Sequence, residues 1–135
     1  VAVWETERAS LVSAIIATFK KTGTGAYQYA QIEKDISSET QIPIGQKARY
    51  FRVELVEVNL NDLTSGKVLG RYTAEITLYF ISAKFDFETF KSEAVAHINT
   101  LLNTYNYNLI DRVQFTQVEN RQAKMSFKLE VGLSS

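Results

Sequence analysis

Apolar positions recur at helical spacing from Trp4 through Leu11, Val12, Ile15 and Ile16 to Phe19, and this predicts a helix over residues 4–21. Glu5 and Glu7 near its start and Lys20 and Lys21 near its end suit the helix dipole. Thr22-Gly23 supplies a stop, because glycine tolerates the left-handed turn after a helix. From 22 to 48 the periodicity is lost, interrupted by Gly23, Gly25, Ser37, Ser38, Pro43 and Gly45. Tyr27, Tyr29 and Gln31 alternate, enough for a short strand near 26–32. The remainder reads as a long loop, and loops of this length more often serve a function than merely connect.

Period-two alternation then takes over. Phe51, Val53 and Leu55 alternate with Arg52 and Glu54, after which Val56, Val58 and Leu60 alternate with Glu57 and Asn59. A one-residue slip of this kind predicts a bulge near Leu55-Val56. The turn-forming residues from Asn61 to Gly66 predict a hairpin tip. The return strand covers about 67–82, with Tyr72, Ala74, Ile76, Leu78 and Phe80 on one face and Arg71, Thr73, Glu75, Thr77 and Tyr79 on the other. A second helix is expected over 87–104, N-capped by Asp86, with Phe87, Phe90, Ala94, Ile98, Leu101 and Leu102 as its buried stripe. After a polar connection at 103–108, a second hairpin follows. Val113, Phe115 and Val118 mark its first strand, Glu119-Asn-Arg121 its turn, and Ala123, Met125, Phe127, Leu129 and Val131 its second strand.

The element order is α-β-β-α-β-β. It predicts one α+β domain spanning residues 1–135, with a long loop at 22–48 and a long hairpin at 49–82. Each helix has a single apolar stripe to bury, so the expected architecture is a mostly antiparallel four-stranded sheet with both helices on one face. The halves repeat the element order but show no strong sequence repeat.

Composition narrows the function classes. A chain of 135 residues is the size of one domain and can bury a core without staples. No cysteine is present, which removes disulfides and thiolate metal sites. No apolar run reaches the roughly 18 residues of a membrane span. The opening Val1-Ala-Val-Trp4, followed by Glu5, Glu7 and Arg8, lacks the basic and apolar parts of a signal peptide. Lys plus Arg equals Asp plus Glu, 15 each, whereas nucleic-acid binders usually carry a basic excess.

Candidate chemistry is sparse. His97, the single histidine, lies at the border of the second helix's apolar stripe, with no motif to orient it as a general base. Asp86 and Glu88 are explained by capping and the helix dipole without a bound Mg²⁺. Gly23-Thr-Gly25 follows a helix instead of joining a strand to one, so its amides are not aimed at a phosphate. Lys124 and Lys128 share a strand face with Gln122 and Ser126, a stripe that Glu130 dilutes and that reads as solvated. Tyr50, Tyr72, Tyr79, Tyr105 and Tyr107 suit base stacking and protein interfaces equally, and the neutral balance favours interfaces. No serine lies in a nucleophile elbow. No enzyme, cofactor or metal is expected.

Strands of about twelve residues or more, at Arg49–Leu60 and Val68–Ile81, exceed the typical five or six, and unpaired edges of that length call for cover. A neighbouring subunit is one such cover. Candidate contact residues are Tyr27, Tyr29, Ile42 and Ile44 in the loop, Arg52, Glu54, Glu57, Asn61 and Asp62 on the outgoing strand and tip, and Arg71 and Tyr79 on the return.

Four segments together resemble the tail terminator or tail-completion proteins of tailed bacteriophages. They are the opening helix Glu5–Ala17, the variable loop to about 48, the hairpin Arg49–Ser82, and Phe87–Asn103 leading into Val113–Val131. The resemblance covers nearly the whole chain and rests on pattern, not on an invariant motif. It implies a homo-oligomeric ring, usually hexameric, in the virion's tail neck after assembly in the host cytoplasm. Such a ring caps the tail tube at full length, meets the tail tube protein and the head-connector protein, and lets DNA pass without recognising its sequence. It implies no catalytic residues and no membrane. Two other classes remain. One is a non-viral oligomeric ligand-binding module, since αββαββ is a circular permutation of the ferredoxin-like order. The other is an αββαββ homing endonuclease, which Lys20-Lys21 and the neutral charge argue against.

Overall fold

A computed structural model describes residues 4–24, 26–32, 48–64, 67–81, 87–105, 107–118 and 122–132. They form α1 (Trp4–Thr18), β1 (Lys20–Lys21), β2 (Tyr27–Gln28), β3 (Ala30–Gln31), β4 (Ala48–Thr64), β5 (Lys67–Ile81), α2 (Phe87–Thr104), β6 (Asn108–Val118) and β7 (Gln122–Gly132). The loop positions Ile42 and Ile44 and the expected cap Asp86 lie outside the described residues.

The main sheet has the order β3-β4-β5-β7-β6. β4 and β5 form an antiparallel hairpin running from Ala48↔Ile81 to Thr64↔Lys67. β7 pairs antiparallel with both β5 and β6, so β5 and β6 run parallel to each other with β7 between them. α2 makes the crossover that this parallel relation requires. The expected four-stranded, mostly antiparallel sheet is therefore corrected. Among the described residues the sheet has five strands and mixed orientation, because β3 joins β4 in parallel at Ala30↔Tyr50 and Gln31↔Phe51. β1 and β2 add a separate two-stranded ribbon. β1 carries no period-two signal, whereas the alternation of Tyr27, Tyr29 and Gln31 marks a short strand near 26–32 that the structure divides into β2 and β3.

Both helices bury their apolar residues in one core. Leu11, Ala14 and Ile15 of α1 and Phe87, Phe90, Ala94, Ile98 and Leu101 of α2 pack with Phe51 and Val53, with Ala74, Ile76, Leu78 and Phe80, and with Ala123, Met125, Phe127 and Leu129. The alternation of these strand positions puts them on a single face of the sheet. Phe80 and Phe90 stack with centroids 5.0 Å apart, and Trp4 meets the edge of Tyr72 at 5.4 Å, fixing the start of α1 over β5. On the opposite face Tyr79 and Ile81 are buried beside Ile32 and Tyr50.

Boundaries differ from the sequence reading in several places, including β6, which starts at Asn108, five residues before its first expected marker Val113. α1 ends at Thr18, not at 21, and Lys20 and Lys21 enter the ribbon. Gly23, at φ 86°, serves the turn between β1 and β2, where Gly23 O accepts from Ala26 N at 3.2 Å, and does not cap the helix. The hairpin tip is shorter than the expected 61–66, since the strands stay paired through Thr64↔Lys67. The register does shift between Leu55 and Glu57, where the sequence slips phase, and shifts again between Leu60 and Asp62.

Candidate functional site

Polar chemistry concentrates where the β1–β2 ribbon meets α2 and the start of β4. Arg49 is in phase with Phe51 and Val53, which points its side chain toward the helices instead of solvent. Its cross-strand partner is Phe80, and the guanidinium lies 4.6 Å from that ring and 3.7 Å from the ring of Tyr27. The fork then donates to Tyr29 Oη at 3.2 Å and to Glu93 Oε1 at 3.3 Å. The Arg49 side chain is 7% exposed and Glu93 20%. A buried guanidinium of this kind needs both its carboxylate and its flanking π-faces to offset the lost hydration.

His97 lies one helical turn beyond Glu93 on α2, and its Nε2 is 2.6 Å from Tyr27 Oη. Phe19, just past the end of α1, packs against the imidazole at 5.4 Å and stacks on Phe127 at 6.2 Å. Burial lowers the His97 pKa from its ordinary 6.5, with Arg49 adding to the effect and Glu93 opposing it. The ring is accordingly neutral at pH 7, and whether Nε2 accepts from the Tyr27 hydroxyl or donates to it follows the imidazole tautomer. Burial also raises the phenols. Tyr29 is pushed up to about 12, and Tyr27 is raised further, with Glu93 contributing to both.

The polar groups of the cluster bond to one another. The guanidinium is engaged by Glu93 and Tyr29, and the imidazole by Tyr27. Chemically this is a clasp that pins the ribbon to α2 and β4. An open depression of about 340 Å³ adjoins the cluster, lined by Lys20, Lys21, Thr22, Ala26, Tyr27 and Gln28. Of these, only Tyr27 belongs to the cluster. Arg49 and Glu93 are the residues that sequence reasoning missed. A charged residue in phase with an apolar strand face is the signal that marks Arg49.

The proposed contact residues divide sharply. Tyr29 is 1% exposed and Tyr79 0%, so both side chains are packed within the chain. Tyr29 is drawn in by Phe19 and Arg49, and Tyr79 packs with Ile81 under the Lys124 ammonium at 5.3 Å. Tyr27 is half-buried in the clasp. Arg52 and Glu54 pair with each other at 2.9 Å on the sheet face away from the helices, and Glu57 is exposed on that face. The backbones of Asn61, Asp62 and Arg71 lie in the distal hairpin. Ile42 and Ile44 fall outside the described residues.

The hairpin itself is the other feature. β7 covers β5 only from Arg71 to Ile81, and β3 covers β4 only at Tyr50 and Phe51. Residues 60–64 and 67–70 therefore pair only with each other among the described residues. At the entrance to this ribbon Val56 and Val58 are each 43% exposed. No three His, Cys, Asp or Glu residues gather into a metal site among the described residues, and no described helix is long and apolar enough to cross a membrane. No protein-family model matches the chain, and no curated protein matches it either.

Proposed function

We propose that this chain is a structural protein of a bacteriophage tail neck, whose copies close into a ring that caps the tail tube and joins it to the head connector. Two things support this reading: the resemblance in element order and pattern, and the distal β4–β5 hairpin. A two-stranded ribbon is marginal in water on its own. Here strands of 17 and 15 residues run, among the described residues, past the end of β7's pairing, with exposed valines at the point where β7 stops. A subunit that spends its life in a ring has a neighbour to cover such a ribbon. The polar cluster fits the same role, because it holds the fold rigid without presenting a reactive group.

Two measurements test the proposal. Native mass spectrometry and negative-stain imaging across a range of concentrations are expected to show closed rings. Addition of the chain to polymerising tail-tube protein is expected to halt elongation and leave it at tube ends. A chain that stays monomeric throughout and leaves tube growth unchanged overturns the reading.

A further inference from the structure

Charged side chains of the polar face run across the described part of the sheet from β4 to β6. On β4, Glu57 opposite Thr73 is exposed, and Glu54 opposite Glu75 is 44% exposed. Glu75 in turn opposes Lys128 on β7, and Lys128 opposes Ile110 on β6. Between Ile110 and Gln114 the β6 register shifts, and this bulge presents an exposed Arg112. Beside it lies a small cleft of about 70 Å³ lined by Glu75, Arg112, Gln114, Ser126, Phe127 and Lys128. Among the described residues neither Glu57 nor Arg112 takes part in an ion pair.

Arg52 neutralises Glu54 on this face at 2.9 Å, so among the described side chains Glu57 is the charge left over on β4 and Arg112 the one on β6. Glu57 set against Glu57 repels, whereas Glu57 against Arg112 is attractive and heterologous, and a heterologous contact that closes makes a ring. Both strands also expose apolar side chains, Val56 and Val58 on either side of Glu57 on β4 and Phe115 on β6. Each edge is bulged at its charged position, which breaks the ladder and prevents indiscriminate strand addition. Recognition then falls to the side chains.

Resting on the ring reading, we infer that the contact between protomers joins the β4 edge of one copy to the β6 edge of the next, with Glu57 of one chain set against Arg112 and its cleft on the other.

The test is charge reversal and its rescue, read by native mass spectrometry and sedimentation, with urea unfolding of each variant to verify the fold. Glu57→Lys and Arg112→Glu are each expected to weaken association about tenfold or more, since like charges at a contact are strongly penalised. The double variant Glu57→Lys/Arg112→Glu is expected to recover it, and equimolar mixing of the two single variants to give assemblies that alternate them. Wild type that assembles while both single variants assemble equally well overturns the edge pairing and leaves the ring reading standing. Single variants that fail without rescue in the double also overturn the pairing. Wild type that never assembles overturns the ring reading, and the edge pairing falls with it.

Discussion

Tyr27 and His97, 70 positions apart, share a 2.6 Å hydrogen bond that ties a two-residue strand to the middle of α2. Burial of the imidazole favours its neutral form and lowers its pKa. Because the folded pKa lies below 6.5, the unfolded chain binds more protons than the folded one once pH falls below that value. The contribution of His97 is therefore complete above about pH 6.5 and is lost as pH falls toward the folded pKa.

His97→Gln keeps an acceptor for Tyr27 and removes the titration. Urea midpoints measured at about pH 7.5 and about pH 5.5 are expected to fall more for wild type than for His97→Gln. Equal falls would mean that proton uptake by His97 does not weaken the clasp. At neutral pH, assembly of the variant is expected to match wild type.

Arg49→Met removes a cation that two aromatic rings, Glu93 and Tyr29 all hold. Breaking one side of a buried pair leaves Glu93 uncompensated, at an expected cost of about 3 kcal/mol in chemical denaturation. Arg49→Lys is expected to recover only part of it, because an ammonium lacks the planar fork and stacks less well. Combining Arg49→Met with Glu93→Gln is expected to cost less than the sum of the two single changes.

Phe90 is fully buried and stacked on Phe80. Phe90→Ala is expected to destabilise the fold by about 3–5 kcal/mol, a large share of a domain's stability. Val58→Thr, on the exposed part of β4, is expected to leave the urea midpoint nearly unchanged and to weaken oligomer formation. If Phe90→Ala unfolds at the wild-type midpoint, α2 is not docked as described.

Gly23 isolates a backbone effect. A Cβ added there meets nothing within 4 Å, so the cost of Gly23→Ala comes from its φ of 86° alone. A loss of about 1 kcal/mol is expected on thermal or urea unfolding. Gly23→Asn is expected to cost less, since asparagine enters the left-handed region more readily.

Both helices and all four long strands were legible in the chain, because each is long enough to repeat its period several times. The slip at Leu55-Val56 was legible for the same reason: a phase change within a long alternation has only one local cause. Phe90, Ile98 and Leu101 could be assigned to the core from spacing alone. The strand order was not legible. β7 inserts between β5 and β6, and periodicity states which face a residue takes, not which strand lies beside it. The alternation of Tyr27, Tyr29 and Gln31 marked a short strand near 26–32, but not its division into β2, paired with β1, and β3, paired in parallel with β4; those pairings depend on distant backbone. Tyr29 and Tyr79 looked like surface aromatics, since a phenol suits either environment. Tertiary packing decided their burial, through Phe19 and Arg49 for one and Ile81 for the other. The clasp likewise exists only in three dimensions: Tyr27, Arg49 and His97 come from three separate elements, and each becomes tolerable in the interior only when the others arrive.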